Sequence, residues 1–299
     1  MNSNTKYNQN NGIRRKIACF AVIATGLILI SICTPPAFSR HSGEVVGSLE
    51  EPLYAFSGAT IEDRRDSRTE PTSLGAASAD AARITSGADF AIINGGDFYS
   101  NLPSGSLTFD VVRGVFAENR GLAVAKVTPK QLAAIIEAGV GHIIINPDES
   151  IKRHDAHGAF PQVSGFTFIY DASAGPGARL VSITADNGKE LNQHDDMAEY
   201  SLCATDYMLS GGFDMPTIPH TELGISLADS LAEYISSGIE VSYRHAAERI
   251  TAIGSRDSRP LTALPRGLVL LVSVGLIAII LSGGGKIRKY GLSRKPGER

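Results

Sequence analysis

The sequence predicts an α+β domain, a mixed sheet with flanking helices, and three observations predict it. A short apolar run at 90–93 stops at Asn94-Gly95-Gly96, as a buried strand does where it opens into a loop that needs glycine. Thr128-Pro129-Lys130-Gln131 joins a capping hydroxyl, a proline suited to the first helical position and a glutamine three residues after the cap. Phe166, Phe168 and Tyr170 alternate with Thr167 and Ile169, and a second run at 180–184 is closed by Asp186-Asn187-Gly188, a hairpin turn sequence. Helices and hairpins mixed in this way indicate α+β architecture.

The remaining elements follow in chain order. Residues 41–47 read as a lead-in and 51–70, rich in Arg and Asp, as partly loop. The alanine-rich segment 74–83, with Leu74 and Ala77 on one face, reads as a helix. A strand at 122–127 leads into the helix begun at Thr128, whose stripe of Leu132, Ile135 and Ile136 ends at Gly139. Gly175-Pro176-Gly177 is a turn, 199–204 a strand, 226–235 and 242–250 two closing helices, and 251–265 a linker. No internal repeat is visible.

Both ends of the 299-residue chain differ from its middle. Arg14, Arg15 and Lys16 precede an apolar run at 17–33, then Pro35-Pro36 and Ala37-Phe38-Ser39, which reads as a signal segment over 1–39, cleaved or retained as an anchor. An apolar stretch at 266–285 is followed by a basic tail at 286–299, the pattern of one transmembrane helix with its tail on the cytoplasmic side. The expected organisation is a globular domain at 40–254, a linker at 255–265 and a single-pass cell-membrane anchor, with the domain extracytoplasmic. The chain carries −3 overall, and because its two ends are basic the middle is strongly acidic, about −13. Such a surface does not suit nucleic acid, which calls for a basic face. Of the three cysteines only Cys203 lies in the middle segment, so that segment has no internal disulfide.

Few residues announce chemistry on their own. In Asn94-Gly95-Gly96, glycines let a ligand approach the backbone and an Asn amide can donate and accept toward a hydroxyl; a plain strand-to-loop turn explains them equally well. Tyr207, ahead of Met208-Leu209-Ser210-Gly211-Gly212, is either a stacking surface for a flat base or a core tyrosine. Arg68, within Arg64-Arg65-Asp66-Ser67-Arg68-Thr69-Glu70, is either a phosphate-binding guanidinium or part of a solvated charge cluster. His154-Asp155-Ala156-His157 is the best local metal candidate, but Lys152 and Arg153 oppose a cation and the stretch reads as a loop. A dinuclear phosphoesterase needs a crowd of carboxylate and imidazole ligands, yet the chain has no Gly-Asn-His-Asp/Glu and no Asp-x-His near its start. There is no Gly-x-Ser-x-Gly elbow either.

Taken in order, Arg68, Leu74-Gly75, Asp80, Asn94-Gly95-Gly96, the segment 122–132, Phe160-Pro161-Gln162-Val163-Ser164-Gly165 and Tyr207 to Gly212 resemble the C-terminal, substrate-binding domain of the 5'-nucleotidase family. The resemblance runs from about 44 to 250. It implies a domain that presents a nucleotide or nucleoside to metals held elsewhere, with substrate-binding residues Arg68 for phosphate, Asn94, Gly95 and Gly96 for the sugar, and Tyr207 as one of two stacking rings. No catalytic or metal-binding residue is implied here, and no cofactor; divalent metals enter only if a separate metallophosphoesterase chain supplies them. The departures weaken the expected grip. The family continues Asn-Gly-Gly-Gly-Ile-Arg, where this chain has Asp97 and Tyr99; the second ring falls on Glu118; and Gly-Gly-Asp-Gly becomes Gly211-Gly212-Phe213-Asp214. Arg113 or Arg120 could replace the lost cation, and Phe116 or Phe213 the lost ring. A domain without its own phosphatase activity is therefore expected, or a binding module for a nucleoside, an altered ligand or a surface protein.

Overall fold

The computed structural model describes residues 42–57, 66–238 and 246–257. The signal segment 1–39, most of the 255–265 linker, the apolar stretch 266–285 and the basic tail 286–299 lie outside the described residues. Among the described residues no helix is long and apolar enough to cross a membrane.

Ten strands and six α-helices build an α+β arrangement among the described residues. In chain order they are β1 (Val45–Leu49), α1 (Ser73–Ser86), β2 (Phe90–Asn94), β3 (Gly105–Thr108), α2 (Phe109–Arg113), β4 (Gly121–Val127), α3 (Pro129–Gly141), β5 (Pro161–Ser164), β6 (Phe166–Asp171), β7 (Leu180–Ala185), β8 (Tyr200–Thr205), α4 (Asp206–Leu209), β9 (His220–Ser226), α5 (Leu227–Ser236), α6 (Ala246–Arg249) and β10 (Ile250–Ile253). The principal sheet is mixed, in the order β5-β2-β8-β4-β9; β2 runs parallel to β8, and the other pairings are antiparallel. A second sheet has the order β10-β6-β7, and β1 pairs with β3.

The centre of the principal sheet is buried on both faces, while the edge strand β9 is largely exposed, and the two-residue period of a strand sorts the central side chains. Phe90 and Ile92 of β2, with Leu202 and Ala204 of β8, join one apolar cluster with α3 and the β6–β7 hairpin. Ala91, Ile93 and Cys203 face the other way, into a cluster with α1 and α5. This double burial explains why 90–93 reads as an unbroken apolar run rather than an alternation. Helix α3 starts as its sequence demands, with a full capping box between Thr128 and Gln131 and proline in the first turn, but runs past Gly139 to Gly141.

The motif at 160–165 is largely structural. Buried Gln162 donates through Nε2 to the carbonyls of Ser67 and Glu70, 2.8 Å each, and its Oε1 accepts from the Thr72 amide at 3.0 Å. One side chain thereby fixes the segment that carries Arg68. Ser164 donates to Asp80 at 2.6 Å, and Asp80 receives a two-pronged pair from Arg249 at 2.8 and 2.9 Å.

The closing region differs from expectation. The first closing helix is present as α5, but of the second, expected over 242–250, the described residues are helical at Ala246–Arg249, and Ile250–Ile253, read from sequence as helix end and linker, is a strand parallel to β6. Its β-branched Ile and Thr residues fit a strand, and Phe168 to Asp171 of β6 offer it a partner row. Val45–Leu49 is likewise a strand rather than a lead-in.

Candidate functional site

Strand register assembles the site. Because β2 and β8 are parallel neighbours, their carboxyl ends, Asn94 and Thr205, open on the same edge of the sheet. The antiparallel strands β5 and β4 begin there, with Asn94 opposite Pro161 and Leu122 opposite Thr205. Four segments distant in sequence therefore meet: the turn Gly95–Asp97, the loop before Phe160, Arg120 ahead of β4, and α4 with the turn Gly212–Asp214. Ligands tend to sit at the carboxyl ends of parallel strands, where loops diverge.

Each residue singled out from sequence has a definite place. Arg68 ends a short 3-10 turn, and its Nη1 donates to the Ala156 carbonyl at 2.9 Å. Asn94 is fully buried, and among the described residues neither of its amide side-chain atoms has a hydrogen-bond partner. Gly95 and Gly96 donate to the carbonyls of Phe160 and Gly158 at 2.8 and 2.9 Å. What approaches these glycines is the protein itself. A Cβ on Gly95 would overlap the Ser67 carbonyl, and one on Gly96 would lie 2.6 Å from the Phe213 ring and 2.7 Å from Gly158 Cα. Tyr207, in the first turn of α4, is 39% exposed, so it is not a core tyrosine.

The sequence departures interlock at this edge. Asp97 is buried and lies 3.0 Å from Arg120 Nε, an ion pair not aligned as a hydrogen bond. Arg120 Nη2 is 3.5 Å from exposed Glu118, and the guanidinium carbon sits 3.4 Å above the centre of the Tyr207 ring. Arg120 thus occupies one face of the ring expected to stack on a base. Burial pushes the Asp97 carboxyl up to about 7, while the Arg120 charge and the Asn94 backbone pull the other way. Tyr99, which stands where the family has arginine, is exposed. Glu118 contributes charge to Arg120 instead of a ring.

Phe213 supplies a second ring near Tyr207, 5.2 Å away and edge-on at 87°. Phe213 and Asp214 both have left-handed backbone, with φ 56° and 61°. For non-glycine residues that conformation is uncommon, and here it turns Asp214 outward toward two histidines. His142 caps the end of α3 and stacks on His157 with ring centroids 3.8 Å apart. Burial, then His142, then Arg68 push the His157 pKa below its ordinary value, and Asp214 opposes them. The sequence pair His154 and His157 does not form: the stretch is a loop, as expected, and His154 turns to Asp155 at 2.7 Å. The sequence named Arg120, Glu118 and Phe213 as possible substitutes or departures, but His142 gave no signal, because its partners are 15 and 72 residues away.

Comparison with known proteins bears on the family and the fold. A family model described as "5'-nucleotidase, C-terminal domain" matches residues 45–220. The chain is 30% identical over 164 residues to the trifunctional nucleotide phosphoesterase protein YfkN of Bacillus subtilis (strain 168), a match covering 52% of this chain and 10% of that protein. Among solved structures it is similar to a 5'-nucleotidase precursor from Thermus thermophilus, with TM-score 0.55 and 21% identity over 80% of this chain and 43% of the other. It is also similar to a putative 5'-nucleotidase from Staphylococcus aureus, with TM-score 0.56 and 16% identity over 70% and 41% of the two chains. A third likeness is to the NAD nucleotidase NadN of Haemophilus influenzae, with TM-score 0.53 and 15% identity over 70% and 38%. The chain spans about a tenth of the curated relative and about two fifths of the solved ones.

Proposed function

The chain belongs to the family of 5'-nucleotidase C-terminal domains, and from that premise we propose that it is a nucleotide- or nucleoside-binding domain that does not cleave phosphate esters by itself. The observation that carries this reading is the convergence of Arg68, the Gly95-Gly96 backbone and half-exposed Tyr207 at one sheet edge. A guanidinium and an aromatic face are groups that hold a phosphate and a base, and the glycines, whose amides are bonded to Phe160 and Gly158, let the Arg68 segment pack close to the strand end. These 299 residues contain no Gly-Asn-His-Asp/Glu, and the Asp-x-His they do contain, Asp155-Ala156-His157, lies in the loop before β5, so in this reading the metal ligands for hydrolysis come from outside these residues.

One observation favours a second reading, a module with an altered ligand. The Arg120–Asp97 pair lies over Tyr207 and competes with a base for that ring. Removing the pair as a unit exposes the ring without stranding a buried charge. The double variant D97G/R120A is therefore expected to bind adenosine about tenfold more tightly or better, since stacking on an aromatic ring is worth about 1–3 kcal/mol. Calorimetry with adenosine, AMP and UMP measures this. Silence from both native and double-variant protein at millimolar ligand would sink nucleotide recognition; binding by the variant alone would establish the altered module. Phosphate release from AMP by the purified chain with manganese added would overturn the non-cleaving assignment.

We place the domain outside a cell membrane, tethered through 266–285 with the basic tail inside. Protease added to intact cells is expected to remove the domain and spare a tag at the C-terminus. A domain that stays protected until the cells are lysed would reverse the orientation.

A further inference from the structure

Beside the strand-end cluster, three segments bring together groups that the proposed binding of a nucleotide does not use. His142 comes from the end of α3, His157 from the loop before β5, and Asp214 from the left-handed turn after α4. Asp214 Oδ2 lies 3.8 Å from His142 Nε2 and 3.6 Å from His157 Nε2. The three ligand atoms all fall within 4.8 Å of one another. A tetrahedral zinc ion with bonds of about 2.0–2.1 Å holds its ligands about 3.3–3.4 Å apart. The Asp214 contacts are thus within a few tenths of an ångström of that spacing, and two imidazoles with one carboxylate are a ligand set zinc favours.

We propose that His142, His157 and Asp214 form a three-ligand site for a divalent ion, zinc in preference, with a further coordination position open. Binding shifts a hydrogen within the His157 ring and releases none from it. His157 Nδ1 now accepts, at 3.3 Å, from the Ala159 amide, so in the neutral ring the hydrogen sits on Nε2, facing Asp214. Metal binding through Nε2 moves the hydrogen to Nδ1 and releases this long contact. The 25° tilt between the stacked rings widens so that their lone pairs converge. The opposing influence is positive charge: Arg68 and Lys152 line the same cavity of about 130 Å³ as the two histidines. The Asp214 carboxylate offsets it, and an anion in the open position offsets it further. Three ligands from three segments also make the ion a cross-link between α3, the 157 loop and the turn at 214, elements otherwise joined by packing.

The test uses the full, untagged chain, stripped with chelator and free of nucleotide, so its result is independent of whether adenosine or AMP binds. Zinc titrated by calorimetry is expected to bind one ion per chain, and cobalt to give the intense visible absorption of tetrahedral coordination. H142A or H157A is expected to weaken binding by about 100-fold or more. H154A, which alters a neighbouring exposed imidazole paired with Asp155, is expected to leave binding unchanged. Should either histidine variant fail to fold, D214N decides, because Asp214 is largely exposed and its amide analogue keeps the shape. No saturable zinc binding at millimolar ion, or binding unmoved by D214N, would overturn the proposal, as would loss of binding in H154A.

Discussion

R120A is expected to lose about 2 kcal/mol of stability at pH 8: about 1 kcal/mol for the cation–π contact with Tyr207, and up to about 1.4 kcal/mol for the unit of pH above the Asp97 pKa of about 7, where the unpaired buried carboxyl takes up a proton instead of staying charged. Asp97 is 2% exposed and Arg120 only 11%, so solvent does little to soften the loss. The loss is expected to be pH-dependent, and its sign follows from Asp97. Burial raises that carboxyl from an ordinary 3.8 to about 7, so the folded protein binds a proton that the unfolded chain has released between those values. Native stability therefore falls as pH rises through this window and is lowest above it. At pH 5 Asp97 is protonated, the pair is already neutralised on one side, and R120A should cost about 1 kcal/mol, the cation–π contact with Tyr207. Urea unfolding at the two pH values measures the difference. An equal loss at both would show that Arg120 acts by packing alone. D97N in the R120A background should restore the pH-dependent part of the loss at pH 8.

The second large effect is expected for G95A, with a loss of about 3 kcal/mol and displacement of the Arg68 segment. A methyl group at this position meets backbone, the Ser67 carbonyl and Arg68 Cα, and backbone cannot swing aside as a side chain can. Ser67 also donates to the Gly95 carbonyl at 2.9 Å, and that bond would break. G175A is the matched control, since nothing lies within 4 Å of a Cβ there. Thermal melting should separate the two variants by several degrees, and any ligand that needs Arg68 should bind more weakly to G95A. Equal melting temperatures would mean that the turn has room to move.

The sequence disclosed those features that depend on near neighbours. The capping box at Thr128, the hairpin at Asn187-Gly188, the buried run ending at Asn94 and the closing helix over 226–235 are each written within a few residues, and the structure contains all four, the last with a capping box at Ser226 as well. The strand at Ile250–Ile253 was not legible because four residues carry too little pattern; only β6, about 80 residues earlier, makes them a strand. The candidate site divides in the same way. Asn94-Gly95-Gly96 and Tyr207 stood out through local composition, but the reason for the glycines did not, because Ser67, Gly158 and Phe213 press on them from elsewhere. By itself Asp97 reads as an added negative charge, two residues before the cation lost at Tyr99. Its partner Arg120 is 23 residues away, and only the fold reveals that the two changes form one unit.

The parallel pairing of β10 with β6 sets a timetable for the chain. Phe168 to Asp171 leave the ribosome long before Ile250 to Ile253 exist, and the Arg249–Asp80 clasp joins residues 169 apart. Until those last residues emerge, one margin of β6 offers its amides and carbonyls to any passing strand. Maturation must therefore wait for nearly the whole domain to be made, so a message cut short before codon 250 should yield a sticky product rather than a smaller working one.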